Sequence, residues 1–214
     1  MCVVMKIVGI CGSPKMRDSN TRFLLEEAMA AASETLADAE IGDYVAVVLN
    51  LVEYEIRRCT GCDACVRKKP CPESDQDDMG KIEDELRSAD GIIIAAPSYF
   101  TSVPGLLKDF MDRSRPMKMN DHELKDRVFS AITYAGLRYG GQEPVIDLLN
   151  RYALTQGMVV VGAVGSPVKS GFSGVGSMQT DDGKWRTSEK DQLAIDASRL
   201  VGERVAKMML QLRG

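Results

Sequence analysis

The run CTGCDACVRKKPC, residues 59–71, gathers four of the chain's six cysteines into one short segment. They fall as Cys59-x2-Cys62-x2-Cys65-x5-Cys71, with Pro72 after the last. Three chemistries are open to thiols in this pattern. Successive x2 intervals suit a loop wound around a compact 4Fe–4S cluster, close to the iron–sulfur spacing C-x2-C-x2-C-x3-C-P. Reduced or redox-active thiols are the second possibility. Zinc is the third and fits less well, because four-cysteine zinc sites pair two C-x2-C knuckles across a longer spacer. Gly61 frees the backbone to wrap, and Arg67, Lys68 and Lys69 can offset thiolate charge. Cys2 is terminal, and Cys11 reads as a small buried thiol at the end of a strand.

A single histidine limits what else the chain can do. His122 lies in the polar stretch NDHELKD and reads as a solvated residue. One imidazole builds no Cys2His2 finger, no three-histidine zinc site and no H-E-x-x-H helix. No G-x-S-x-G elbow accompanies it, so a serine triad is excluded too. The chain has 214 residues, 44% hydrophobic and 27% charged, which suits one domain, 1–214, with a sizeable core. A net charge of −4 argues against a nucleic-acid surface. No apolar run approaches the roughly 20 residues that span a bilayer. The opening MCVVMKIVGICG has no charged leader and no cleavage site; it reads as a buried strand, and the chain as cytoplasmic. Thiols stay reduced in that compartment.

The elements that must position these groups follow from apolar patterning. Runs 3–11, 44–52, 91–96, 128–135 and 158–164 are short and continuously apolar, as strands buried on both faces are. Helical spacing fills 20–38, 79–88, 103–114, 142–156 and 189–213. This alternation predicts a doubly wound α/β domain with a five-stranded parallel sheet, order 2-1-3-4-5, and right-handed crossovers. Two stretches fit neither element. Residues 53–78 form a cysteine-rich insertion after the second strand, and 165–188 are rich in Gly and Ser and lead into the last helix to complete 165–214. Connections this long are functional or mobile. Asp75, Asp77 and Asp78 read as a solvated lead-in to a helix.

Three loops fall on the carboxyl edge of that sheet, where ligands bind at the switch point of an open parallel fold. After the first strand, GSPKMRDSNT offers Ser13, Ser19, Asn20 and Thr21 beside a helix N-terminus, which suits a phosphate or simply a capped helix. After the third, Pro97, Ser98, Tyr99 and Phe100 put two aromatics at a loop, suited to a flat ring. After the fourth, Gly136, Gly140 and Gly141 allow close backbone approach, and Arg138 can face a ring carbonyl or a phosphate. Arg115 and Lys118 add charge that reads as solvated.

GSPKMRDSNT, PSYFTSVPGLLKDFMDR and the GGQE of 140–143 together resemble the flavodoxin-like NAD(P)H-dependent FMN reductases, and with the cysteine run the chain is most similar to iron–sulfur flavoproteins, over roughly residues 5 to 164. The resemblance implies FMN held by Ser13, Ser19, Asn20 and Thr21 at the phosphate. Pro97, Ser98, Tyr99 and Phe100 would lie along the isoalloxazine, with Gly136, Arg138, Gly140 and Gly141 on the third loop. It implies a 4Fe–4S cluster on Cys59, Cys62, Cys65 and Cys71, expected on the flavin side of the molecule. It also implies ferredoxin or NAD(P)H as electron partner, a small-molecule acceptor or donor, and a homodimer or homotetramer. The segment 165–188 is read as either covering the flavin or reaching a neighbouring subunit, and in the second case Trp185 would anchor the contact.

Overall fold

A computed structural model describes residues 4–39, 43–166, 168 and 171–213. Cys2 lies outside them. The continuously apolar runs form the strands. β1 (Met5–Cys11), β3 (Gly91–Pro97) and β4 (Val128–Ala135) are buried almost throughout, as a sheet covered on both faces requires. β2 (Tyr44–Asn50) lies at the edge, where only Leu49 is fully buried. The order is β2-β1-β3-β4-β5, with every pair parallel.

α1 (Asn20–Asp38) and α6 (Gln192–Arg213) cover one face of the sheet. α2 (Met79–Arg87), α3 (Gly105–Arg113), the short α4 (Arg115–Met119) and α5 (Gln142–Gln156) cover the other. Phe110 and Phe129 anchor that second core at full burial. No helix among the described residues is long and apolar enough to cross a membrane.

The fifth strand departs from expectation. The apolar run 158–164 pairs only as β5 (Val159–Val160), against Val128 and Phe129 at the start of β4. The end of β4, Ile132 to Ala135, is paired instead by β6 (Gly174–Ser177), within the Gly/Ser stretch expected to be a loop. Among the described residues the sheet therefore has six strands, and its outer position beside β4 is filled in two pieces. Small residues make this possible. A Cβ on Gly176 would stand 2.6 Å from Ala194 Cβ and 2.7 Å from the Tyr134 ring, so only glycine lets this strand close on β4 and α6. At β2 the apolar run overshoots in the same way: Leu51–Glu53 turn into a 3₁₀ helix that starts the cysteine insertion.

Candidate flavin site and cysteine recess

β1 delivers the first loop. Gly12 N–H donates to Ala95 O (2.8 Å), holding the chain to β3 for one residue beyond the strand. Ser13 is buried, and its Oγ accepts from Lys15 N–H (3.3 Å). Ser19 caps α1, accepting from Arg22 N–H at 3.3 Å, and Thr21 is buried in the first turn. No acidic residue sits in that turn, so the positive end of the helix dipole is unopposed there. Asn20 Oδ1 accepts from Ser188 N–H (2.9 Å) and Ser188 Oγ (3.1 Å). That engages the oxygen, which an anion would repel, and leaves the Nδ2 hydrogens as the donors suited to one. Burial pushes the Cys11 thiol up, so it stays neutral beside this loop.

The second loop is a two-residue turn. Tyr99 and Ser102 pair antiparallel, with Tyr99 N–H to Ser102 O at 2.9 Å and Ser102 N–H to Tyr99 O at 3.1 Å. Between them Phe100 (φ +50) and Thr101 (φ +63) both take the left-handed conformation that hairpin turns normally assign to Asn or Gly. Each such residue costs about 1–3 kcal/mol. The Phe100 side chain is fully exposed, and Tyr99 is half-exposed.

The third loop is locked to the second. Ser98 N–H donates to Tyr134 O (3.0 Å), and Ser98 Oγ donates to Gly140 O (2.5 Å). Gly141 (φ +83) presses on the turn so closely that a Cβ would fall 2.7 Å from Thr101 Cα. Sequence reasoning missed the buried Gln142 as a separate feature, although it stands in the GGQE motif. Its Nε2 donates to Leu137 O (2.8 Å), Arg138 O (3.3 Å) and Gly176 O (3.4 Å), and its Oε1 accepts from Gly140 N–H (2.9 Å). Gly136 O accepts from Gln179 N–H (3.0 Å). The Arg138 guanidinium pairs with Asp181, so it points at the C-terminal segment in this state. Both partners are exposed, and such a pair is worth little.

The cysteine insertion runs elsewhere. Cys59, Cys62, Cys65 and Cys71 are free thiols that line a single recess with Asp63, Glu73, Asp112, Arg113, Arg115 and Pro116. Tight turns shape the loop: Gly61, Asp63 and Lys68 have positive φ, Lys69 N–H donates to Ala64 O (3.0 Å), and Arg67 Nη2 donates to Cys62 O (2.8 Å). The recess abuts the carboxyl end of α3, and none of the three loop segments lines it. Nine helical residues span about 13 Å. Within this chain the cysteine insertion thus packs against the far end of α3 from the aromatic turn. Among the described residues, no three His, Cys, Asp or Glu side chains gather into a set that could hold a metal ion.

Asp77 is corrected as well. Its side chain is fully buried and pairs with buried Arg113, which also donates to Arg57 O at 2.9 Å. Burial alone would raise the Asp77 carboxyl; hydrogen bonds from Arg113, Arg57 N–H and Met79 N–H outweigh it and hold the group below the usual carboxylate range.

Nothing at the sheet edge requires a protein acid or base. The site offers donors for a phosphate tail and aromatic and glycine walls for a flat ring, the provision of a flavodoxin-like flavin-dependent oxidoreductase. The chain belongs to the NADPH-dependent FMN reductase family, whose model matches residues 5–172. An iron–sulfur flavoprotein of Archaeoglobus fulgidus is 39% identical over 95% of both chains. One from Methanocaldococcus jannaschii is 33% identical over 96% of this chain and 97% of that one. Among solved structures, RosB with a bound 8-demethyl-8-formylriboflavin-5'-phosphate intermediate superposes with a TM-score of 0.69 at 13% identity, covering 97% of this chain and 81% of that one. The protein is therefore an FMN-dependent flavoprotein of the flavodoxin-like reductase family.

Proposed function

We propose that this protein couples FMN to a 4Fe–4S cluster held by Cys59, Cys62, Cys65 and Cys71, passing electrons between a one-electron carrier such as ferredoxin and a small-molecule acceptor or donor. One observation supports this above others: four free cysteines line one recess together with Arg113 and Arg115. The donor set fits the group. Soft thiolates select such clusters, and nearby cations offset their charge. The relatives' name, iron–sulfur flavoprotein, points the same way.

When bound, the flavin exchanges electron pairs with one partner and single electrons with another, and the cluster carries single electrons. The chain's own residues hold and orient. In this reading Ser13, Ser19, Asn20 and Thr21 bind the phosphate through hydroxyl, amide and helix-start donors. Pro97, Ser98, Tyr99 and Phe100 line the ring and exclude water, while Gly136, Arg138, Gly140 and Gly141 form the opposing loop. We place the protein in the cytoplasm as a homodimer or homotetramer, with Trp185 contacting a neighbouring subunit. W185A is expected to shift the oligomer to smaller size in light scattering.

A second reading is a cluster-free NAD(P)H-dependent FMN or quinone reductase, favoured by the absence of a gathered metal-ligand set among the described residues. One experiment separates the two: iron, sulfide and FMN counts with a visible spectrum on anaerobically purified protein, followed by reductive titration. Stoichiometric iron and sulfide exchanging electrons with FMN support the first reading. Iron-free protein bleached rapidly by NAD(P)H sinks it in favour of the second.

A further inference from the structure

Arg113 is 2% exposed and ranks among the largest fully buried side chains, a position an arginine occupies only with cause. Its Nη groups are engaged by Asp77 (Nη2 to Oδ1 3.3 Å) and Arg57 O, whereas its Nε–H is buried without a hydrogen-bond partner among the described residues. An unpaired buried donor is costly, and an acceptor brought into the recess would relieve it. Arg113 lines the cysteine recess and Asp77 does not, so the pair presents its cationic end to the sulfurs. Cys71 is among the groups acting on the guanidinium. The other charges facing the recess are matched and wet. Arg115 pairs with Asp63 (2.8 Å), Glu73 with Arg57 (2.9 Å) and Asp112 with Lys108 (2.7 Å), each pair reaching water and screened by it.

We propose that Arg113 sets the reduction potential of the centre held by Cys59, Cys62, Cys65 and Cys71, with Asp77 as the counter-ion that positions it. This rests on the reading that these cysteines hold an iron–sulfur cluster. Reduction adds one electron, and so one negative charge, to the thiolate-held centre, and the one-electron carrier that supplies it is oxidised by one electron. A guanidinium keeps its proton at every working pH. Fixed in a low-dielectric wall, it favours the more negative, reduced form, and its counter-ion disfavours it.

The test is an equilibrium titration of anaerobically purified, iron-counted holoprotein against one-electron mediator dyes with dithionite. At the poise that half-reduces wild type, R113Q is expected to raise the oxidised-to-reduced ratio at least tenfold, which is 59 mV for one electron. R113K, which keeps the charge, stays near wild type. D77N shifts the ratio the opposite way from R113Q, because it leaves the cation uncompensated. A merely structural role would move R113Q and D77N in the same direction, and that result overturns the inference. So do unmoved midpoints at wild-type iron content. If R113Q loses its iron, D77N decides: an unchanged midpoint overturns the inference. Wild-type protein without iron or sulfide overturns the underlying reading and this inference with it.

Discussion

Gln142 makes four hydrogen bonds from one buried amide, to Leu137, Arg138 and Gly176 carbonyls and from the Gly140 N–H, so it fixes the third loop's shape from behind. Each such bond contributes about 1 kcal/mol net. Q142L is expected to weaken FMN binding by about 10–100-fold, at 1.4 kcal/mol per tenfold, read by flavin titration of apoprotein; affinity within twofold of wild type would show that the loop holds its shape unaided. Asp77 gives a pH signature. Its carboxyl is held below the usual range, so its pairing with Arg113 stabilises the fold above about pH 4, where the unfolded group is ionised, and that stability is lost as pH falls through the folded value. D77N is expected to be less stable than wild type by roughly 3–5 kcal/mol at neutral pH. The gap should narrow steadily below about pH 4 in urea melts. Neither Arg113 nor Asp77 was legible as a buried pair. Asp77 read as part of a solvated lead-in because burial of ions is rare, Arg113 was only one position in a helical run, and only the fold brings two segments 36 positions apart into contact.

The turn at Tyr99–Ser102 stores strain that the elements around it must hold in place. Thr101 is β-branched at φ +63, so T101G is expected to raise stability by about 1 kcal/mol through relief of backbone strain, measured as a higher urea midpoint. It should also loosen the contact with Gly141 and weaken FMN binding. A drop in stability would mean that packing of the Thr101 methyl outweighs the strain. Among the elements, α1 and β4 match their apolar or periodic runs to the residue. β5 and β6 do not, for a physical reason. Apolarity in 158–164 reports partial burial, whereas pairing with β4 depends on which backbone can approach it, and glycine at 174 and 176 wins that contest in a stretch whose composition reads as loop. The three loops at the sheet edge were legible because topology alone sends the ends of β1, β3 and β4 to one place. The packing of the cysteine loop against the end of α3 was not, because a long insertion carries no periodicity to say which face it crosses.

At the scale of the molecule, the C-terminal segment braces the candidate flavin site. β6 pairs alongside the end of β4, Gln179 N–H holds Gly136, and Ser188 holds Asn20. G176V is expected to cost about 1–3 kcal/mol by overpacking against Ala194 and Tyr134. That lowers Tm by roughly 2–4 °C per kcal/mol, and FMN affinity should fall in parallel because two of the three loops lean on this segment. Loss of stability without loss of affinity would uncouple the brace from the site. α3 carries a longer-range consequence. It starts just after the strained aromatic turn and ends with Arg113 at the cysteine recess, so one rigid rod fixes the separation of the candidate flavin loops from the recess. Inserting one residue would turn Arg113 through about 100° and swing it off the sulfurs. The helix is thus a ruler with both ends in use: its nine-residue length is expected to be held in any relative that keeps both sites, while the sequences of the loops at either end drift.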